Sequence, residues 1–347
     1  MAILKKIIIA SLPFLLYGCR EDIEPLIDTR PVLCLNSLIT AGKPIEVSVT
    51  RTWVYTDSKG GNDHSVSDAK VSIYANGNLV SDDYLAQEGD IIRIEAYSNT
   101  YGSAWAEVTV PVATPISNVK YTPTLKDLWY NDREEWGVSL DLTFNIATTL
   151  SIPNDPQANL FYDLDFTTFS PANEKDSDFS DDYDAPGELL RWYTPPSEVH
   201  FYGGSFILRD PFFSEYVGAF DDMMDWADIY ASFFSNHQFK GNTQDIHVDF
   251  QDCSFRITQW DRNPELLECG YVFTLYSISE SYCKWLNYRW QSDQSLMEEI
   301  IDVGLAEPIW GYSNVSTGAG VVAAQSSATA TLNLQDFLFD YISKESK

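Results

Sequence analysis

Asp163 and Asp165 alternate along "LFYDLDF", residues 160–166, so on a strand they share one face with their carboxylates about 7 Å apart. At that spacing one acid can protonate a leaving group while the other activates water. His247 and Asp249 share a face of "IHVDF" in the same way, a pairing suited to proton transfer or metal binding. Neither pair has a supporting motif. The chain contains no GxSxG and no HExxH, and His64, His200 and His237 stand apart in loop-like contexts. With 51 acidic residues among 347, carboxylate pairs arise by chance. The expectation is a protein that is not an enzyme, with no catalytic residue and no bound metal.

Two further stretches carry partial signatures. "GAGVVA", residues 318–323, has the glycine spacing of a dinucleotide-binding turn. Its surroundings, "WGYSNVST" before and the strand-prone "TATLNL" after, are not the strand–turn–helix that a pyrophosphate site requires. Gly318 and Gly320 therefore read as a tight turn or bulge, and no cofactor is expected. "EKDSDFSDDYD", residues 174–184, could offer oxygen ligands to calcium, but the glycine and glutamate of an EF-hand loop are out of place. A solvated acidic loop is the simpler reading.

Aromatic residues make up 14% of the chain, and some lie in polar, turn-rich stretches. Trp129, Tyr130 and Trp136 in "DLWYNDREEW", with Trp192 and Tyr193 in "LLRWYTPPSEVHFYGG", are candidates for a ligand or partner surface, because ring faces beside carboxylates suit sugar or peptide capture.

The first residues give an address. Lys5 and Lys6 precede an apolar run, Ile7 to Leu16, that is too short to span a bilayer and has the length of a signal peptide. Leu16-Tyr17-Gly18 then leads into Cys19, the pattern of a bacterial lipobox. Residues 1–18 are expected to be removed, and Cys19 to carry lipid that anchors the chain. Glu21, Asp22 and Glu24 follow at once in an acidic tether over residues 19–29 and read as a surface-export signal. Net charge is −29, which repels nucleic acid and anionic lipid.

Of the other cysteines, Cys34, Cys253, Cys269 and Cys283, a bridge between Cys253 and Cys269 is the favoured pairing if any disulfide forms.

The elements that would position these residues are mainly β. Short period-two strands at 32–38, 45–52, 69–74, 91–97 and 104–110, with an Asn76-Gly77 hairpin turn, indicate an immunoglobulin-like sandwich over residues 30–113. A proline-marked linker, "PVATPIS" (111–117), leads to a larger antiparallel β-rich domain over 118–347, with strands in 138–146, 160–166, 246–250 and 271–278. Helices are expected near 221–234 and 277–290, the second opened by a capping box of Ser277 and Glu280 and carrying an apolar stripe of Tyr282, Trp285 and Leu286.

"RPVLCLNSLITAGKPIEVSVTRT", "VSDAKVSIYANG", "AWAEVTVP", "FFSNHQFKGNTQDIHVDF", "LYSISESYCKWLNYRWQS" and "EPIWGYSNVSTGAGVVAAQS" together resemble the Bacteroidota outer-membrane lipoproteins that share domain of unknown function 4249. The resemblance covers nearly the whole mature chain, in the same order. It implies an outer-membrane lipoprotein, facing the extracellular side, that partners a TonB-dependent transporter of the SusC type in nutrient capture. It implies no catalytic residues. The alternatives are an adhesin or structural surface lipoprotein and, further off, an extracellular hydrolase.

Overall fold

The computed structural model describes residues 30–52, 64–81, 83–133, 137–170, 198–214, 231–258, 268–292 and 311–345. The protein is mainly β, built from largely antiparallel sheets, with two α-helices among the described residues. A four-stranded sheet in the order β4-β3-β5-β6 comprises β3 (Lys70–Ala75), β4 (Asn78–Val80), β5 (Ile91–Ser98) and β6 (Gly102–Thr109). A six-stranded sheet runs β12-β9-β14-β15-β1-β2, from β1 (Leu33–Thr40), β2 (Ser48–Arg51), β9 (Phe161–Phe169), β12 (Phe233–Ser235), β14 (Gly270–Ile278) and β15 (Val322–Asn333). The third sheet joins β7 (Asn118–Arg133), β8 (Gly137–Pro153), β13 (Thr243–Thr258) and β10 (Glu198–Tyr202), with β11 (Ser205–Leu208) also on β13. Helix α1 spans Glu280–Ser292 and α2 spans Gln335–Glu345.

Period-two patterning explains the layers. In "LCLNSLIT", Leu33, Leu35 and Ile39 point inward and are fully buried, while Asn36 and Leu38 are exposed. Burial of each such side chain contributes about 2 kcal/mol. Asn76 and Gly77 both take positive φ, 51° and 79°, as a type I′ turn demands.

The six-stranded sheet is the shared spine. One end, β1 with the start of β15, packs on the four-stranded sheet in a sandwich-like arrangement whose core holds Leu33, Leu35, Ile73, Ile92, Ile94, Ala104 and Val322. The other end packs on the five-stranded sheet around Phe144, Phe250, Tyr271, Phe273 and Leu338, with Phe250 stacked on Tyr271 at 3.9 Å between ring centroids.

Residues 30–113 and 118–347, read from sequence as consecutive units, thus meet in a single sheet. β15 runs parallel to β1, Ser37 opposite Val322 and Thr40 opposite Gln325. The glycines of "GAGVVA" make this approach possible. Gly320 has φ +104° and sits where a Cβ would overlap the Leu35 carbonyl oxygen, and the Leu35 amide donates to the Ala319 carbonyl at 2.9 Å. The segment is a backbone clamp on β1.

Three expectations need correction. Within the helix expected near 221–234, residues 221–230 lie outside the described residues, and Phe233 and Phe234 belong to β12, held there by pairing with β9 and complete burial. The second helix is present, but Ser279 caps it instead of Ser277. Ser279 Oγ accepts from the Tyr282 amide at 3.3 Å, whereas Ser277 is still in β14 and its hydroxyl accepts from Thr114 N at 3.0 Å. Glu280 turns outward to pair with Lys284 at 2.7 Å. Cys253 and Cys269, the favoured disulfide pair, are both free and buried. Cys253 Sγ instead lies 3.2 Å from the Tyr271 hydroxyl, and burial pushes both thiols above their ordinary pKa.

Candidate functional site

The paired carboxylates lie where the alternation puts them, on one face of β9. Register sets Tyr276 of β14 directly opposite Asp163, and the segment before β12 brings the Ser232 hydroxyl to Asp163 Oδ1 at 2.7 Å. Phe166 and Phe206 close the side, edge to face at 4.7 Å, around a cleft of about 430 Å³. Burial raises the Asp163 pKa, the Ser232 hydrogen bond opposes that rise, and the nearby Asp165 charge adds to it. Asp165 is exposed. The two carboxyls therefore differ in environment, one sheltered and one solvated, as in acid–base pairs. Sequence reasoning found the acids and missed Ser232, Tyr276 and Phe206, whose approach depends on pairing between distant strands.

His247 and Asp249 are not partners. The His247 ring Nδ1 meets Asp210 Oδ1 at 2.9 Å, and the His247 amide donates to Asp210 Oδ2 at 2.6 Å. Asp249 instead pairs with Arg209. Asp210 precedes a 3-10 turn at Pro211–Ser214, and nothing in the local pattern announced that it would reach β13.

Among the candidate aromatics, Trp129 is 66% exposed near the far end of β7, with its Nε1 donating to Asp127 Oδ2 at 2.7 Å. Leu125 and Leu128 beside it are also exposed. Among the described residues this stretch is a strand at the edge of its sheet, not the turn-rich segment its composition suggested. Tyr130 continues β7. Trp136, Trp192, Tyr193, the acidic segment 174–184 and the N-terminal Cys19, Glu21, Asp22 and Glu24 lie outside the described residues. Among the described residues no group of three or more His, Cys, Asp or Glu side chains is placed to hold a metal, and no helix is long and apolar enough to cross a membrane.

A second concavity lies elsewhere, with a volume of about 850 Å³, inside the range of small-ligand sites, about 300–1,000 Å³. It forms where the linker 111–115 crosses between the ends of β6, β8 and β14, the start of β9 and the first turn of α1. The polar groups in its wall are fixed by hydrogen bonds. Asn154 Nδ2 donates to the Gly241 carbonyl at 2.7 Å, and Asn314 grips Val322 by both backbone groups. Ser279 Oγ, besides capping α1, accepts from Ala324 N at 3.0 Å. Burial raises the Tyr312 pKa, nearby Lys284 lowers it and Glu280 raises it further, so Tyr312 stays a neutral hydroxyl at the rim. The prolines of the linker marked a boundary in the sequence but gave no sign of a cavity wall.

The family described as "Domain of unknown function (DUF4249)" matches residues 20–331 of the chain. No curated protein and no solved structure matches it.

Proposed function

We propose, from the premise that this chain belongs to the DUF4249 family, that it is a non-enzymatic lipoprotein of the outer membrane, anchored through Cys19, facing outward, and acting as the capture partner of a TonB-dependent transporter of the SusC type. One observation carries the reading: the family match begins at residue 20, the residue after the cysteine at which a lipobox would end the signal peptide. An independent argument for processing and a boundary of the family region thus coincide. Three acyl chains on one cysteine hold a protein stably at a bilayer, since each buried methylene adds about 0.8 kcal/mol. Glu21, Asp22 and Glu24 direct the anchored chain to the outer face.

The geometry is compatible with capture. A cavity of about 850 Å³ offers a place for cargo, and the exposed Leu125, Leu128 and Trp129 on the edge strand β7 offer apolar area for a protein neighbour.

Protease added to intact cells tests the location. The protein should be digested, and should become protected when Glu21, Asp22 and Glu24 are all changed to Ala. Cys19→Ala should release it from the membrane fraction, and the anchored protein should co-purify with a transporter barrel in mild detergent. Full protection of the unaltered protein in intact cells would refute the outward-facing reading.

A further inference from the structure

The junction cavity holds one basic side chain, Lys284, and Glu280 neutralises it at 2.7 Å. Glu107 and Asp155 add acid to the lining of a chain already at −29, so an anionic ligand would be repelled. The remaining polar groups are neutral hydroxyls and amides. Those deep in the wall are committed to backbone and side-chain partners within the protein and hold the shape. Thr109 and Asn159 at the rim are exposed, and Tyr312 is half-buried. Between them Pro111, Pro115 and Phe161 present flat apolar surface. Hydroxyl and amide partners around flat apolar patches, without net positive charge, match the two-sided chemistry of a pyranose ring, which has an apolar C–H face and a rim of hydroxyls.

We propose that this cavity binds a neutral oligosaccharide, with Thr109, Asn159 and Tyr312 hydrogen-bonding sugar hydroxyls and Pro111, Pro115 and Phe161 packing against the ring faces. Fixed walls favour binding because little ordering is left to the moment of association. The physiological role of the site rests on the capture reading; the binding does not.

The test is calorimetry and ligand-detected NMR on the mature full chain with maltohexaose, cellohexaose, xylohexaose and chitohexaose, and with hexagalacturonate as the anionic counterpart. At least one neutral hexaose should bind saturably, and hexagalacturonate should not. Asn159→Ala and Tyr312→Phe should each weaken that binding about fivefold, the effect of one net hydrogen bond. Thr109→Trp, which fills the mouth from an exposed position, should abolish it with the circular dichroism spectrum unchanged. Lys126→Ala, an exposed position outside the cavity lining, should bind as the unaltered protein does. Absence of binding by all four neutral sugars, binding only of the acidic one, or full binding by Thr109→Trp would overturn the proposal. Co-purification of a barrel with the Thr109→Trp variant separates failure of the ligand assignment from failure of the transporter partnership.

Discussion

Gly320→Ala tests whether the parallel clamp between β15 and β1 holds the two ends of the chain together. Gly320 has φ +104°, a conformation that costs a residue with a Cβ roughly 1–2 kcal/mol. The added methyl would also meet the Leu35 carbonyl oxygen, and that atom is main chain within a buried strand, so β1 and the 319–321 segment must part. The bonds at risk are Leu35 N to Ala319 O at 2.9 Å and Ser37 N to Val321 O at 3.0 Å, each with a net value of about 1 kcal/mol. Together these terms set a loss of about 3–4 kcal/mol, a large part of the 5–15 kcal/mol typical of folded proteins. Gly77→Ala is the control. Gly77 also has positive φ, +79°, but nothing lies within 4 Å of its added Cβ, so it should lose only the roughly 1–2 kcal/mol of backbone strain. Urea unfolding of the mature protein, followed by tryptophan fluorescence, measures both. Equal losses for the two variants would refute the clamp.

Residues 30–113 alone should not fold cooperatively, because Val315, Val322 and Ala324 complete their core; a sharp thermal transition in that fragment would contradict the shared sheet. Ser279→Ala should cost about 1–3 kcal/mol, since it strands the buried Ala324 amide as well as removing the cap, while Glu280→Gln, which breaks an exposed ion pair, should cost under about 0.5 kcal/mol; urea midpoints compare them. The raised Asp163 pKa means that the unfolded chain ionises first as pH rises. Asp163 therefore withdraws stability between the unfolded and folded pKa, and the deficit persists at neutral pH. Asp163→Asn should then gain stability relative to the unaltered protein as pH rises from about 4 to 7, and parallel pH profiles would contradict the burial argument. Alkylation in denaturant without reductant should label Cys253 and Cys269, whereas a bridge would block both.

The legible parts of the fold were those set by neighbours in sequence. Alternation at Leu33, Leu35 and Ile39, or along β9, β13 and β14, gives strands without knowledge of partners, and Asn76-Gly77 names its own turn. What escaped depends on distant pairing. β1 meets β15 across most of the chain, so no local pattern shows that the C-terminal strand completes the N-terminal core. The cap moved from Ser277 to Ser279 because β14 keeps the alternation to Ile278, and its pairing with β9 and β15 holds Ser277 in the strand before the helix starts. Phe233 and Phe234 closed a segment expected to be helical and became strand through pairing with β9. At the candidate sites, Asp163 and Asp165 were visible as a pair while Ser232, Tyr276 and Phe206 came from three other segments. The junction cavity, assembled from the linker, five other elements and the segment at Tyr312 and Asn314, left no mark beyond the prolines of its linker.

The most direct measurement on the central claim is purification of the tagged protein from outer membranes in mild detergent, with the accompanying proteins identified and their ratio determined. A TonB-dependent barrel should accompany it at comparable stoichiometry and be lost when Cys19→Ala removes the anchor. A membrane-bound protein that purifies alone, or only with further copies of itself, would contradict it.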